Sequence, residues 1–187
     1  MVSIGALWLP ILLSAVFVFI LSSFIHMVLG YHANDYRKVP DEDGLMEALR
    51  KFNIPAGQYM MPRAATSRDM KSPEYLEKVK KGPGAILTIW PGGSDSMVGS
   101  LAQWFMYSIV VSIFAAYVAG RVLHPGDPYL SVFRYAGVTA FAAYAIGGWQ
   151  ESIWFKRPWS VTLKSTFDGL LYALVTAGTF GWLWPKM

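Results

Sequence analysis

The chain has 187 residues, 54% of them hydrophobic and only 15% charged, and its mean hydropathy is +0.35. Soluble domains carry about 25% charged residues, so this composition argues against an ordinary soluble domain and for a membrane protein. The net charge of +4 comes from basic residues beside apolar runs, where attraction to anionic lipid explains them better than nucleic acid, and the lack of cysteine rules out disulfides, iron–sulfur clusters and thiolate metal sites.

Residues 4–29, IGALWLPILLSAVFVFILSSFIHMVL, read as a first span. No Lys or Arg precedes the run, it is longer than a signal-peptide core, and no Ala-x-Ala site follows, so an uncleaved helix is expected. Pro10 falls in its first turns, where a missing N–H costs least. His26 lies about one turn from its far end.

Residues 31–98 hold most of the charge. Asp41, Glu42 and Asp43 open a short helix, where acids suit the helix dipole, and Leu45, Leu49 and Phe52 follow at helical spacing. Ser72 as cap, Pro73 at the first helical position and the stop at Gly82-Pro83-Gly84 mark a second helix. Residues 58–61 and 85–90 are strand-like. Together they predict a small α+β lobe whose few large apolar side chains make it marginal alone, and which is expected to lean on the helices. Asp41-Glu42-Asp43-Gly44 is not a calcium loop, because the closing Glu is missing. The two Gly-Pro runs lack the Gly-Lys-Ser/Thr ending of a phosphate loop.

Pro91-Gly92-Gly93-Ser94-Asp95 is a turn into the second span, 97–122, in which Ser112, Ala116 and Gly120 recur every fourth residue. A tight loop follows at 123–130. The third span, 131–149, pairs Ala136 with Ala140 and Ala143 with Gly147, and its Arg134 is expected to snorkel toward Asp127 or phosphate. Residues 150–164 return to the membrane surface, where Trp154, Lys156, Arg157 and Trp159 suit the lipid headgroups. The fourth span, 165–184, organises the rest. Ala173, Ala177 and Gly181 form a small-residue stripe for close helix contact. Asp168, Tyr172, Thr176 and Thr179 form a polar seam on a second face. Leu170, Leu171, Leu174 and Trp182 look toward lipid.

The fold class is therefore an all-α transmembrane four-helix bundle with a small α+β cytoplasmic insertion between helices one and two. Its parts are a first helix (1–30), the insertion (31–98) and a three-helix unit (99–187). The segments 31–98 and 150–164 carry ten and three Lys and Arg, against Arg121, Arg134 and Lys186 on the other side. The positive-inside rule puts the former in the cytoplasm and both termini outside.

The runs SFIHMVLGYHANDYRKVPDE, SIWFKRPWSVTLK and FDGLLYALVTAGTFGWLWP resemble small four-span proteins of the bacterial inner membrane that carry no assigned function. The resemblance implies that location and supplies no activity or site.

His26, Glu151, Lys164 and Asp168 are expected at similar depth at the inner end of the bundle, and ionisable groups within spans default to function. A His26–Asp168 pair could move protons or bind a cationic headgroup. The plainer alternative is a Lys164–Asp168 salt bridge, with His26 on a backbone carbonyl. A haem between two histidines is not expected. His26 and His124 fall at opposite ends of the membrane, and His26 and His32 would stand roughly 240° apart on a continuing helix. No cofactor, metal or catalytic signature is read. The favoured function is a binding or accessory membrane subunit, touching the lipid bilayer and docking another membrane protein or its own copy through small-residue faces. The rivals are a small enzyme acting on a lipid or quinone at the cytoplasmic interface, with His26 and Asp168 as acid and base, and a proton-coupled carrier working as a dimer.

Overall fold

The computed structural model describes residues 1–93 and 96–186. Ser94 and Asp95, in the turn expected before the second span, lie outside the described residues. The element order is α1 (Trp8–Met27), α2 (Glu42–Lys51), β1 (Gly57–Met61), α3 (Pro73–Lys81), β2 (Ala85–Ile89), α4 (Met97–Val122), α5 (Tyr129–Tyr144), α6 (Trp149–Phe155) and α7 (Trp159–Trp182). The chain forms two compact units, Met1–Arg37 with Ser96–Met187, and Lys38–Asp95. Among the described residues, three stretches are long and apolar enough to cross a membrane: Ile4–Met27, Met97–Val122 and Tyr129–Phe155. The fourth expected span, α7, has the length, 24 residues, but is not among them. Lys164, Asp168 and its Ser and Thr residues lower its hydropathy.

In the helical unit α7 packs on α5 and α1, and α4 packs on α1 and α5. The contacts are made by small side chains. Ala115, Ala116 and Ala119 of α4, Ala136 and Ala140 of α5, and Ala173 and Ala177 of α7 are each exposed by 2% or less. Leu170, Leu174 and Trp182 are exposed on the outer face of α7. Small residues at the contacts with large apolar ones turned outward are the pattern expected of helices packed in lipid. Leu171 departs from its expected face and packs, half-buried, against the cluster of Val18, Ile25 and Tyr172. Ala143 and Gly147, expected as a packing pair, are exposed.

Polar contacts tie the helices along their length. Ser14 Oγ of α1 lies 2.9 Å from Ser112 Oγ of α4, and Trp104 Nε1 donates to Ser22 Oγ at 2.8 Å. At the far end Trp184 Nε1 donates to the His124 carbonyl at 2.9 Å, and the Gly126 amide donates to the Pro185 carbonyl at 2.9 Å.

The surface segment expected at 150–164 is instead helical. α5 stops at Tyr144, a short 3-10 turn spans Ile146–Gly148, and α6 follows. Lys156 then adopts a left-handed conformation with φ 61°, and Pro158 precedes the first turn of α7. The fourth helix thus begins six residues earlier than the sequence reading placed it. Its first turns carry Ser160, Thr162 and Lys164, which the expected boundary leaves outside the helix. A buried hydrogen bond of 2.6 Å between Ser152 Oγ and Thr162 Oγ1 pins α6 to α7.

The second unit contains α2, α3 and one antiparallel pair, β1 with β2, in which Tyr59 faces Leu87. Its helix signals work locally as read. Asp41 caps α2 through Oδ1, 3.0 Å from the Gly44 amide. Ser72 caps α3 through Oγ, 3.2 Å from the Tyr75 amide, and Gly82 ends it at φ 56°. None of its described residues is buried, which fits a unit with little apolar volume to bury.

Candidate functional site

α1 ends at Met27, and Gly30 takes φ 66°, a left-handed conformation that costs other L-residues about 1–2 kcal/mol. The chain then turns twice, through the Ala33 amide on the Gly30 carbonyl at 3.0 Å and the Asp35 amide on the His32 carbonyl at 3.0 Å. These turns carry Tyr31, His32 and Asp35 back against the first turns of α7, where Lys164 and Asp168 sit one helical turn apart on one face.

The side chains close into a ring of hydrogen bonds. Tyr31 OH donates to Asp168 Oδ1. Asp168 Oδ2 lies 2.7 Å from His32 Nε2, and His32 Nδ1 lies 2.6 Å from Asp35 Oδ2. Lys164 Nζ donates to Asp35 Oδ1 at 2.7 Å and to the Tyr31 carbonyl oxygen at 2.7 Å, which returns the ring to its start. Asp168 is 3% exposed, deep enough that an unpaired carboxylate would be costly. His26 adds its ring to the cluster: its centroid is 4.5 Å from that of His32, while Tyr31 lies against His32 at 4.3 Å. One donor atom each from His26, His32 and Asp168 fall within 4.8 Å of one another.

The electrostatics follow from this wiring. Burial works to raise the Asp35 carboxyl, but the hydrogen bonds from Lys164 and His32 outweigh it and hold the group below its usual range. Burial, followed by the hydrogen bond to the Asp168 carboxylate, pushes the Tyr31 phenol well above its ordinary value, so Tyr31 acts as a fixed donor. Both ring nitrogens of His32 face carboxylate oxygens. A neutral imidazole has one N–H and one lone pair, so one of the two contacts would set a lone pair against an anion. A cation between them, either a second proton or a metal ion, resolves the conflict.

Of the residues expected to gather, the structure brings His26, Lys164 and Asp168 together. Asp168 pairs directly with His32 and Tyr31, while Lys164 pairs with Asp35 and not with Asp168. Glu151 is exposed on α6 and takes no part in the ring. The seam hydroxyls are spent locally: Thr176 donates to the Tyr172 carbonyl at 2.9 Å and Thr179 to the Val175 carbonyl at 2.8 Å. Tyr172 is buried among Trp104 and Tyr144, and its hydroxyl finds no hydrogen-bond partner among the described residues. Trp154, Lys156 and Trp159 are exposed; Arg157, half-buried, donates to Ser165 Oγ at 3.3 Å.

Tyr31, His32 and Asp35 went unread as site residues. Helical spacing carried on from His26 would set His32 roughly 240° away, whereas the chain leaves the helix at Met27 and turns His32 back beside His26. Gly30 directly after the apolar run was the available signal, because glycine there ends a helix and reverses the chain.

Comparison of the chain with family models, with curated proteins and with solved structures finds no match.

Proposed function

We propose that the chain is an integral membrane binding protein of the bacterial inner membrane, serving as an accessory subunit, and that it holds a cation in the ring at the α1–α7 end of its bundle. In this reading α7 is the fourth span, the ring lies at the cytoplasmic surface, and both termini are outside. Membrane residence is supported by the three apolar stretches, and a fourth span by the way α7 is enclosed by α1 and α5. The observation that carries the binding role is His32, set between Asp35 and Asp168 with each ring nitrogen on a carboxylate oxygen. Lys164 and Tyr31 occupy the remaining oxygens, so the pair of carboxylates presents one unfilled demand, which is positive charge along the His32–Asp168 contact.

The test is nitrogen NMR of the full-length protein in mild detergent, with labelled histidine. Asp168→Asn and Asp35→Asn are each expected to move the His32 ring-nitrogen resonances and to leave those of His124, at the opposite end of the bundle, in place. His32 resonances unchanged in both variants would overturn the reading.

A further inference from the structure

His26, His32 and Asp168 come from two separate stretches of chain, the end of α1 with its following turn and the start of α7. Their donor atoms nevertheless converge within 4.8 Å. Donors around a tetrahedral zinc ion, at about 2.0–2.1 Å from the metal, stand about 3.4 Å apart. The His32 Nε2–Asp168 Oδ2 separation of 2.7 Å would open slightly to admit an ion, and His26, whose donor atom is no more than 4.8 Å from the other two, would close toward them. His26 is exposed, and the ring it lies against is that of His32, its proposed co-ligand.

The surroundings have the form that metal sites use to fix their ligands. A ligating histidine commonly donates its other ring N–H to a carboxylate, which sets the tautomer and raises the basicity of the ligating nitrogen. Asp35 does this for His32, at 2.6 Å from Nδ1, and Lys164 in turn holds Asp35. Tyr31 occupies Asp168 Oδ1 and leaves Oδ2 directed at His32. From these placements we infer that the cation is a divalent first-row transition ion of the zinc class, ligated by His26, His32 and Asp168, with Asp35, Lys164 and Tyr31 as positioning residues. The inference rests on the cation-holding reading above and adds the identity of the ion.

The donor set limits the choice. Two imidazoles and one carboxylate suit zinc, iron, cobalt or nickel. Magnesium and calcium require oxygen shells, and cuprous ion prefers sulfur. Three protein ligands leave a position open, as in zinc sites that bind water or substrate. With neutral imidazoles, the ion and Lys164 together exceed the two carboxylates by one positive charge. The open position therefore suits hydroxide or another small anion.

The experiment uses the full-length protein without a polyhistidine tag, in mild detergent, stripped with chelator and titrated with Zn2+ by calorimetry and with Co2+ by visible absorption. One ion per chain is expected, with a Co2+ spectrum of four- or five-coordinate type. His32→Ala and Asp168→Ala are expected to abolish binding, and Asp35→Asn to weaken it about 10–100-fold, the usual effect of losing such a second partner. His26→Gln keeps the fold, because His26 is exposed, and is expected to weaken Zn2+ binding at least tenfold and to change the Co2+ spectrum. Leu174→Ala, on the outer face, should bind as the parent does. Failure of the parent protein to bind either ion, or His26→Gln and Asp35→Asn both binding like the parent, would overturn the metal site. If in that case both His32 ring nitrogens of the metal-free protein show the shifts of an imidazolium, the proton fills the position. The cation-holding reading then stands and only the metal is lost.

Discussion

Lys164 Nζ reaches both Asp35 Oδ1 and the Tyr31 carbonyl, so one ammonium fastens the reversed chain after α1 to the start of α7. The arrangement makes stability depend on pH with a definite sign. Asp35 titrates below its ordinary value in the folded chain, while in the unfolded chain it titrates near about 3.9. Its contribution is therefore complete above that ordinary value and is lost as pH falls through the lower folded value. The melting temperature of the detergent-solubilised protein should drop as pH falls below about 4. Asp35→Asn should melt lower than the parent at neutral pH and lose less on acidification. A parent and variant with parallel profiles would show that Asp35 is not a stabilising anion. Glu74 is also held low, by Lys78 on the next turn of α3, but it is fully exposed, and such pairs contribute little. Asp168 was legible in the sequence as a carboxylate inside an apolar helix. Its partners were not, because Tyr31 and His32 reach it only through the backbone reversal at Gly30, and periodicity along a helix says nothing about residues past its end.

The interfaces between helices were legible as small-residue spacing, and the structure ranks those positions by what lies opposite. A Cβ added at Gly169 would meet Ala145 Cβ at 2.8 Å and backbone atoms of Tyr144 and Ala145 at 3.1 Å. None of these can move without shifting the 3-10 turn after α5. A Cβ at Gly181 would meet the Tyr129 ring at 2.5 Å, but that ring is 47% exposed and can rotate away. One at Gly137 would meet Ala177 Cβ at 3.0 Å. Overpacking costs about 1–3 kcal/mol where the surroundings cannot yield. Gly169→Ala should therefore lower the melting temperature in detergent more than Gly181→Ala, and Leu174→Ala, on the outward face, should change it least. Gly181→Ala proving as damaging as Gly169→Ala would mean that Tyr129 is locked in place. Gly169 was not in the stripe read from the sequence. It lies on the α5-facing side of α7, and its importance comes from the break at Ala145, which no spacing rule for α7 contains. The start of α7 was misplaced for a related reason. The expected boundary leaves 159–164 at the membrane surface, whereas Pro158 sets the helix start and burial of Thr162 against Ser152 lets these turns remain helical.

For the molecule as a whole, the question that composition leaves open is whether α7 crosses the membrane. An Asp at the centre of an isolated span costs about 2.5–3.5 kcal/mol on insertion scales, and Lys164 adds a second charge. Asp168, however, lies in the first half of α7 and is paired with Tyr31 and His32, so its cost in the assembled bundle is that of a satisfied group near an end. The rest of α7, from Gly169 to Trp182, holds no ionisable side chain except Tyr172. The helix should thus cross only in company with α1 and α5. A reporter fused after residue 60 should be active on the cytoplasmic side, and one at the C-terminus on the outer side. Shortening the chain so that α1 is removed should convert the C-terminal fusion to mixed or inward orientation, because Asp168 would lose Tyr31 and His32 together. Fusions at residue 60 and at the C-terminus of the intact chain reporting from the same side would end the four-span arrangement. With both on one side, α7 would lie along the surface with its Ala173–Ala177 face on α5, and the ring would belong to a protein of three spans.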